Sequence, residues 1–91
     1  MSAATSDDTP VIRHGFRLQW EPAQSAHVLL YPEGMVKLNA SAAEILRRCD
    51  GSRTVDQIVI ELEQVFQATG LTPEVMQFID SATSRGWLRM S

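Results

Sequence analysis

The stretch His27-Val28-Leu29-Leu30-Tyr31-Pro32-Glu33-Gly34-Met35-Val36-Lys37-Leu38-Asn39 decides the fold of this chain. Residues 27–31 are rich in aliphatic and aromatic side chains and read as a strand. Pro32 pre-sets φ at the first turn position, and Gly34 suits the left-handed position of a three-residue hairpin loop. Residues 35–38 then return as an antiparallel neighbour. Working backwards, Phe16, Leu18 and Trp20 alternate with Arg17 and Gln19, the two-residue period of a half-buried strand over 16–20. Glu21-Pro22-Ala23-Gln24-Ser25 breaks that strand. The short connections predict a three-stranded antiparallel meander whose outer strands have unpaired edges.

Forward of Asn39 the period becomes helical. Ala42, Ile45, Leu46 and Cys49 share one face, with Ser41 to Glu44 as a capping box, and Asp50-Gly51 ends the first helix. A second box, Thr54 to Gln57, opens a helix with an apolar stripe of Val55, Ile58, Val59, Leu62, Val65 and Phe66, and Gly70 marks its end. Thr72 as N-cap with Pro73 at the first helical position starts a third helix carrying Val75, Phe78, Ile79 and Ala82. Gly86 closes it, and Trp87-Leu88 folds back on the core. Strands followed by helices define an α+β class with helices on one sheet face. Residues 1–12 read as a flexible N-terminal tail, because the first ten are almost all small or polar. Residues 13–91 form a single α+β domain.

The chain has 91 residues and a net charge of −3. This is one small domain with no cationic excess for phosphate or anionic lipid, and nucleic acid and membrane are not expected partners. One cysteine excludes an internal disulfide framework and a Cys-rich metal or iron–sulfur site, and it fits a reducing, cytoplasmic location. The opening residues lack the basic and apolar regions of a signal peptide. Neither His14, His27 nor Cys49 has a base, orienting group or second metal ligand at a recognisable spacing, so no catalytic residue, metal or cofactor is expected. Cys49 lies on the apolar helix face and reads as buried. The third helix carries Glu74 and Asp80 against Arg85, which counts against the alternative of a winged-helix DNA-binding regulator.

The remaining candidate site is the edge of the third strand, at Met35, Val36, Lys37 and Leu38, where unpaired backbone groups can accept an extended peptide. The competing expectations are that residues 11–13 cover this edge, or that a second copy does, the protein then being a small homodimeric scaffold. Met76 and Thr83 flank the core stripe of the third helix, and the adaptable Met76 either extends the core or contacts such a peptide. Leu29 and Tyr31 oppose Val28 and Leu30, so the middle strand is apolar on both faces and its second face is a candidate for burial in a partner.

Leu18-Gln19-Trp20-Glu21-Pro22-Ala23-Gln24 and the stretch quoted first, with Cys49-Asp50-Gly51, Arg53-Thr54-Val55 and Arg85-Gly86-Trp87-Leu88, resemble the PqqD family of pyrroloquinoline quinone (PQQ) biosynthesis proteins. The resemblance covers roughly residues 15–89 and departs at residues 67–72. It implies a winged-helix-like recognition element for ribosomally made peptides (an RRE), a non-catalytic chaperone that binds the precursor PqqA and presents it to the radical S-adenosylmethionine enzyme PqqE. It further implies that peptide pairs with Met35, Val36, Lys37 and Leu38 and touches Met76, Ile79 and Thr83. Arg47, Arg48 and Arg53 are candidates for the enzyme contact by charge alone.

Overall fold

The turn after Tyr31 closes more tightly than expected. In the computed structural model, which describes residues 5–91, Gly34 is already paired opposite Tyr31 and only Pro32 and Glu33 lie in the loop. Gly34 thus begins a strand instead of completing a three-residue loop. The meander consists of β2 (Arg17–Glu21), β3 (Ala26–Tyr31) and β4 (Gly34–Lys37), in spatial order β2-β3-β4 and antiparallel throughout, with a 3-10 turn at Pro22–Gln24. The register puts Leu18, Leu29 and Val36 side by side on the face that meets the helices. On the other face Val28, flanked by Gln19 and Lys37, is nonetheless 0% exposed. The centre of the second face is therefore covered within the chain, and the expectation that it needs a partner is corrected.

The helices that cover the Leu29 face are α1 (Ala40–Arg47), α2 (Val55–Val65) and α3 (Thr72–Ser84). Leu29 and Leu38 from the sheet side meet Ile45 and Leu46, Ile58 and Leu62, and Val75 and Ile79 in one buried cluster. Removing such side chains from water supplies about 1.5–3 kcal/mol each, the term that holds sheet and helices together.

The helix ends follow their sequence only in part. The Thr54 box forms as read, with Thr54 Oγ1 accepting from Gln57 N–H and Gln57 Oε1 accepting from Thr54 N–H. Helix α1, by contrast, starts earlier than its expected Ser41 box, and its cap is Asn39, whose Oδ1 accepts from Ala42 N–H at 2.8 Å. Asparagine and serine are near-equal caps, so spacing alone does not separate them. Thr72 is the first residue of α3, not its cap. Leu71 precedes it without a side-chain cap bond, and the Leu71 N–H donates instead to Glu63 of α2 at 3.1 Å. Helix α2 ends before Gly70. Gln67 takes a left-handed φ of 52°, Ala68 N–H donates to Glu63 C=O and Gln67 N–H to Gln64 C=O, a Schellman closure with glutamine at the glycine position.

A larger correction concerns residues 10–12. They form β1 (Pro10–Ile12), antiparallel to β5 (Leu88–Met90), rather than the end of a loose tail. Pro10 is fully buried, Ile12 N–H donates to Cys49 C=O at 3.0 Å, and Val11 bridges to Asp50. The physical reason is non-local: two apolar residues gain a ladder with the far end of the chain, and no local pattern announces it. Residues 1–4 of the expected tail lie outside the described residues.

Candidate functional site

Because β1 pairs with β5, it does not cover β4, and among the described residues β4 has a neighbour on one side only. The register fixes which backbone groups that free side offers. Leu38 N–H donates to His27 C=O, so His27 and Leu38 form a hydrogen-bonded pair, and alternation makes Leu29 with Val36 the next one. Val36 and Leu38 thus turn their amides inward to β3. Met35 and Lys37 turn theirs outward, giving two N–H donors and two C=O acceptors along the edge. Side chains alternate independently: Val36 and Leu38 pack toward the core, whereas Met35, 48% exposed, and Lys37 stand on the outer sheet face.

A groove of about 350 Å³ runs beside this edge, with Val36 to Asn39 on one wall and Phe78, Ser81, Ala82 and Arg85 of α3 on the other, closed by Trp87. It continues past Phe78 and Ala42 into an apolar cavity of about 300 Å³ between the three helices, walled by Ile45, Leu62, Phe66 and Val75. An extended chain laid along β4 would find hydrogen-bonding groups on one side and apolar walls on the other.

The structure brings Met35, Val36, Lys37 and Leu38 together as expected but does not bring Met76, Ile79 and Thr83 to them. Ile79 is 0% exposed in the core, and Thr83 Oγ1 donates to the Ile79 C=O at 2.7 Å. Met76 packs partly buried against the core and, by helix geometry, points about 160° away from Phe78 around the axis. A core stripe has two flanks, and Phe78, Ser81 and Arg85 occupy the one that faces β4. Phe78 carries the one signal available in sequence, a bulky aromatic on the stripe's border.

Arg47, Arg48 and Arg53 are not a free basic patch. Arg47 and Arg48 both pair with Glu44, at 3.1 and 2.8 Å. Arg48 Nε donates to Glu61 at 3.0 Å, and Arg53 pairs with Glu61 at 2.9 Å and Asp50 at 3.3 Å. The network ties the end of α1 to α2. The hydrogen bond from Arg48 above all holds the Glu44 carboxyl below its ordinary value. For Glu61, burial pushes upward, but the hydrogen bonds from Arg53 and Arg48 outweigh it and the net direction is down.

Cys49 is buried with its Sγ donating to the Ile45 C=O at 3.2 Å. Burial, helped by the neighbouring Asp50 charge, pushes its thiol up to about 12, so the nucleophilic thiolate is suppressed at neutral pH. His27 packs edge-on against the half-exposed Trp20, with ring centroids 5.2 Å apart. No group of three metal-ligating side chains occurs among the described residues, and none of their helices is long and apolar enough to cross a membrane.

Fold and edge together define a small α+β domain that presents an open strand beside an apolar groove. Comparison with known proteins is specific about which one. Residues 26–88 match the family described as "Coenzyme PQQ synthesis protein D (PqqD)". The chain is 50% identical over 91 residues to the "PqqA binding protein" of Azotobacter vinelandii, covering 99% of each, and 47% identical with the same coverage to that of Pseudomonas aeruginosa. It also superposes, with a TM-score of 0.81 and 28% identity, on the solution NMR structure of the PqqD part of Methylobacterium extorquens PqqCD, described as a functional, stand-alone RiPP recognition element. That match covers 97% of this chain and 96% of the other. The chain belongs to the PqqD family.

Proposed function

We propose that this protein is a PqqA-binding chaperone of PQQ biosynthesis, that it captures the precursor peptide by strand addition to β4, and that it presents the peptide to the radical SAM enzyme PqqE without catalysing chemistry itself. The observation that carries the reading is the free β4 edge, where the outward amides of Met35 and Lys37 run beside the groove lined by Phe78 and Arg85. Relatives of nearly identical length bear the name of PqqA-binding proteins, which identifies the peptide. Presentation acts by raising the local concentration of precursor at the modifying enzyme.

The test is an NMR titration of labelled protein with full-length PqqA, following backbone amides. Shifts at Met35 to Leu38 together with Phe78, Ser81 and Arg85 support strand addition in this groove. Shifts confined to Met76 and Thr83, or to Arg47, Arg48 and Arg53, refute it. A protein that ignores PqqA but doubles in mass with concentration is instead a scaffold whose β4 edges pair with one another. Addition of PqqE to the labelled complex should broaden a further set of resonances, and an unchanged spectrum would refute the presentation step.

A further inference from the structure

We propose that Arg85 is a specificity-determining residue of the β4 groove, reading a carboxylate side chain of the bound peptide. The inference rests on the strand-addition reading and deepens it, since backbone pairing by itself does not distinguish one peptide from another. The chain carries a net charge of −3, yet among the described residues the only charged ones lining this groove are Lys37 and Arg85, both cationic. Lys37 reaches the groove through its backbone, because its side chain alternates to the outer sheet face with Val28 and Met35. The guanidinium of Arg85 is left as the charge that faces an incoming side chain.

Its surroundings hold that guanidinium ready. Arg85 caps the C-terminal end of α3, where the helix dipole favours a cation, and its Cζ stacks 5.5 Å from the Trp87 ring centroid. Its Nε donates to Ser81 Oγ at 3.5 Å. No described residue forms an ion pair with it, and the hydrogens of both Nη atoms have no described acceptor. The contrast with Arg48, whose Nε and Nη1 are both spent on carboxylates, is direct. A planar fork at the helix end, lying over tryptophan and with both Nη groups open, is suited to bidentate capture of a carboxylate.

The groove also sets where that carboxylate must lie. Phe78 and Arg85 are separated by seven residues of α3, roughly 10 Å along the axis, and an extended chain advances roughly 3.3 Å per residue. Both side chains must face α3, and alternation along a strand spaces such side chains by an even number, so the acidic side chain falls about two or four residues from the apolar side chain that packs on Phe78 at the mouth of the cavity.

The experiment is a double-mutant cycle on the full chain, with PqqA as probe. Each Asp and Glu of PqqA is replaced singly by its amide, and Kd is measured against wild type, Arg85→Gln and Arg85→Lys. Arg85→Gln should weaken binding about three- to tenfold, the range of a partly exposed charge-assisted pair, with a smaller loss for Arg85→Lys. One peptide position should show a similar loss against wild type and none against Arg85→Gln. Unchanged affinity in both variants, or equal losses at every peptide position against wild type and Arg85→Gln, would overturn the proposal. Arg85→Lys keeps a cation at the end of α3 and beside Trp87, so its thermal melt should match wild type; if Arg85→Gln melts early, the cycle is read on Arg85→Lys. Amide shifts in β4 separate the two levels of the argument. If β4 shifts on adding PqqA and no position couples, only the Arg85 assignment fails; if β4 does not shift, strand addition fails and the assignment with it.

Discussion

Lys37→Pro isolates the backbone contribution of the β4 edge. The Lys37 amide points away from β3, so proline removes an outward donor while Val36 and Leu38 keep their ladder bonds. Val36 is already extended, the conformation proline imposes on the residue before it. Met35 and Lys37 together offer four backbone bonds to an added strand, worth about 2–6 kcal/mol at 0.5–1.5 kcal/mol each, against about 8 kcal/mol for micromolar binding. The groove side chains must supply the remainder. Losing one bond should then weaken PqqA binding roughly two- to twelvefold, and the proline ring meeting the incoming strand adds to this. Lys37→Ala is the control that removes the charge but keeps the amide. Calorimetric titration of both variants, with circular dichroism melts to verify folding, reads the difference. If Lys37→Pro is folded and binds as tightly as Lys37→Ala, peptide does not pair with β4 and the reasoning fails.

Four further outcomes follow from the structure. Phe78→Ala, on the wall shared by groove and cavity, should weaken PqqA binding more than Met76→Ala does, and a reversed order would put the peptide on the other flank of α3. Gln67→Gly should raise stability by about 1 kcal/mol, or about 4–8 °C in Tm, because glycine adopts the left-handed closure of α2 without strain; an unchanged Tm would refute the strain. Cys49 should resist maleimide at neutral pH until the protein unfolds, and rapid native-state labelling would contradict its burial and raised pKa. Glu44 and Glu61 titrate below their ordinary value of about 4.3 when folded, so their pairs stabilise the protein above that pH and lose that contribution as pH falls through the lower folded values; Glu44→Gln should flatten this acid limb of a Tm–pH profile, and an unaltered limb would assign it elsewhere.

Much of this protein is local and therefore legible. Alternation in Phe16, Leu18 and Trp20, the proline–glycine punctuation after Tyr31 and the Thr54 box each act over a few residues, and meander and helices appear where these signals put them. Where two local signals had similar strength, as with Asn39 and Ser41 as caps, the choice fell to surrounding packing. Gln67 shows the same limit: glycine is favoured at a left-handed closure, yet the hydrogen bonds of Ala68 and Gln67 hold a glutamine there, and Gly70 takes its own left-handed φ of 71° three residues later.

The candidate site divides along the same line. Local pattern alone establishes that a third strand exists, that it is short and free of proline, and that a helix with an apolar stripe follows later in the chain. Long-range packing settles the rest. It sent residues 10–12 to β5 and left β4 open, it turned the Met35 and Lys37 amides outward, and it presented the Phe78 and Arg85 flank of α3 to the groove in place of Met76 and Thr83. Periodicity fixes the angle of each side chain about its own axis but not the rotation of one element against another. That rotation is set by how the whole core packs, through contacts between residues far apart in the chain.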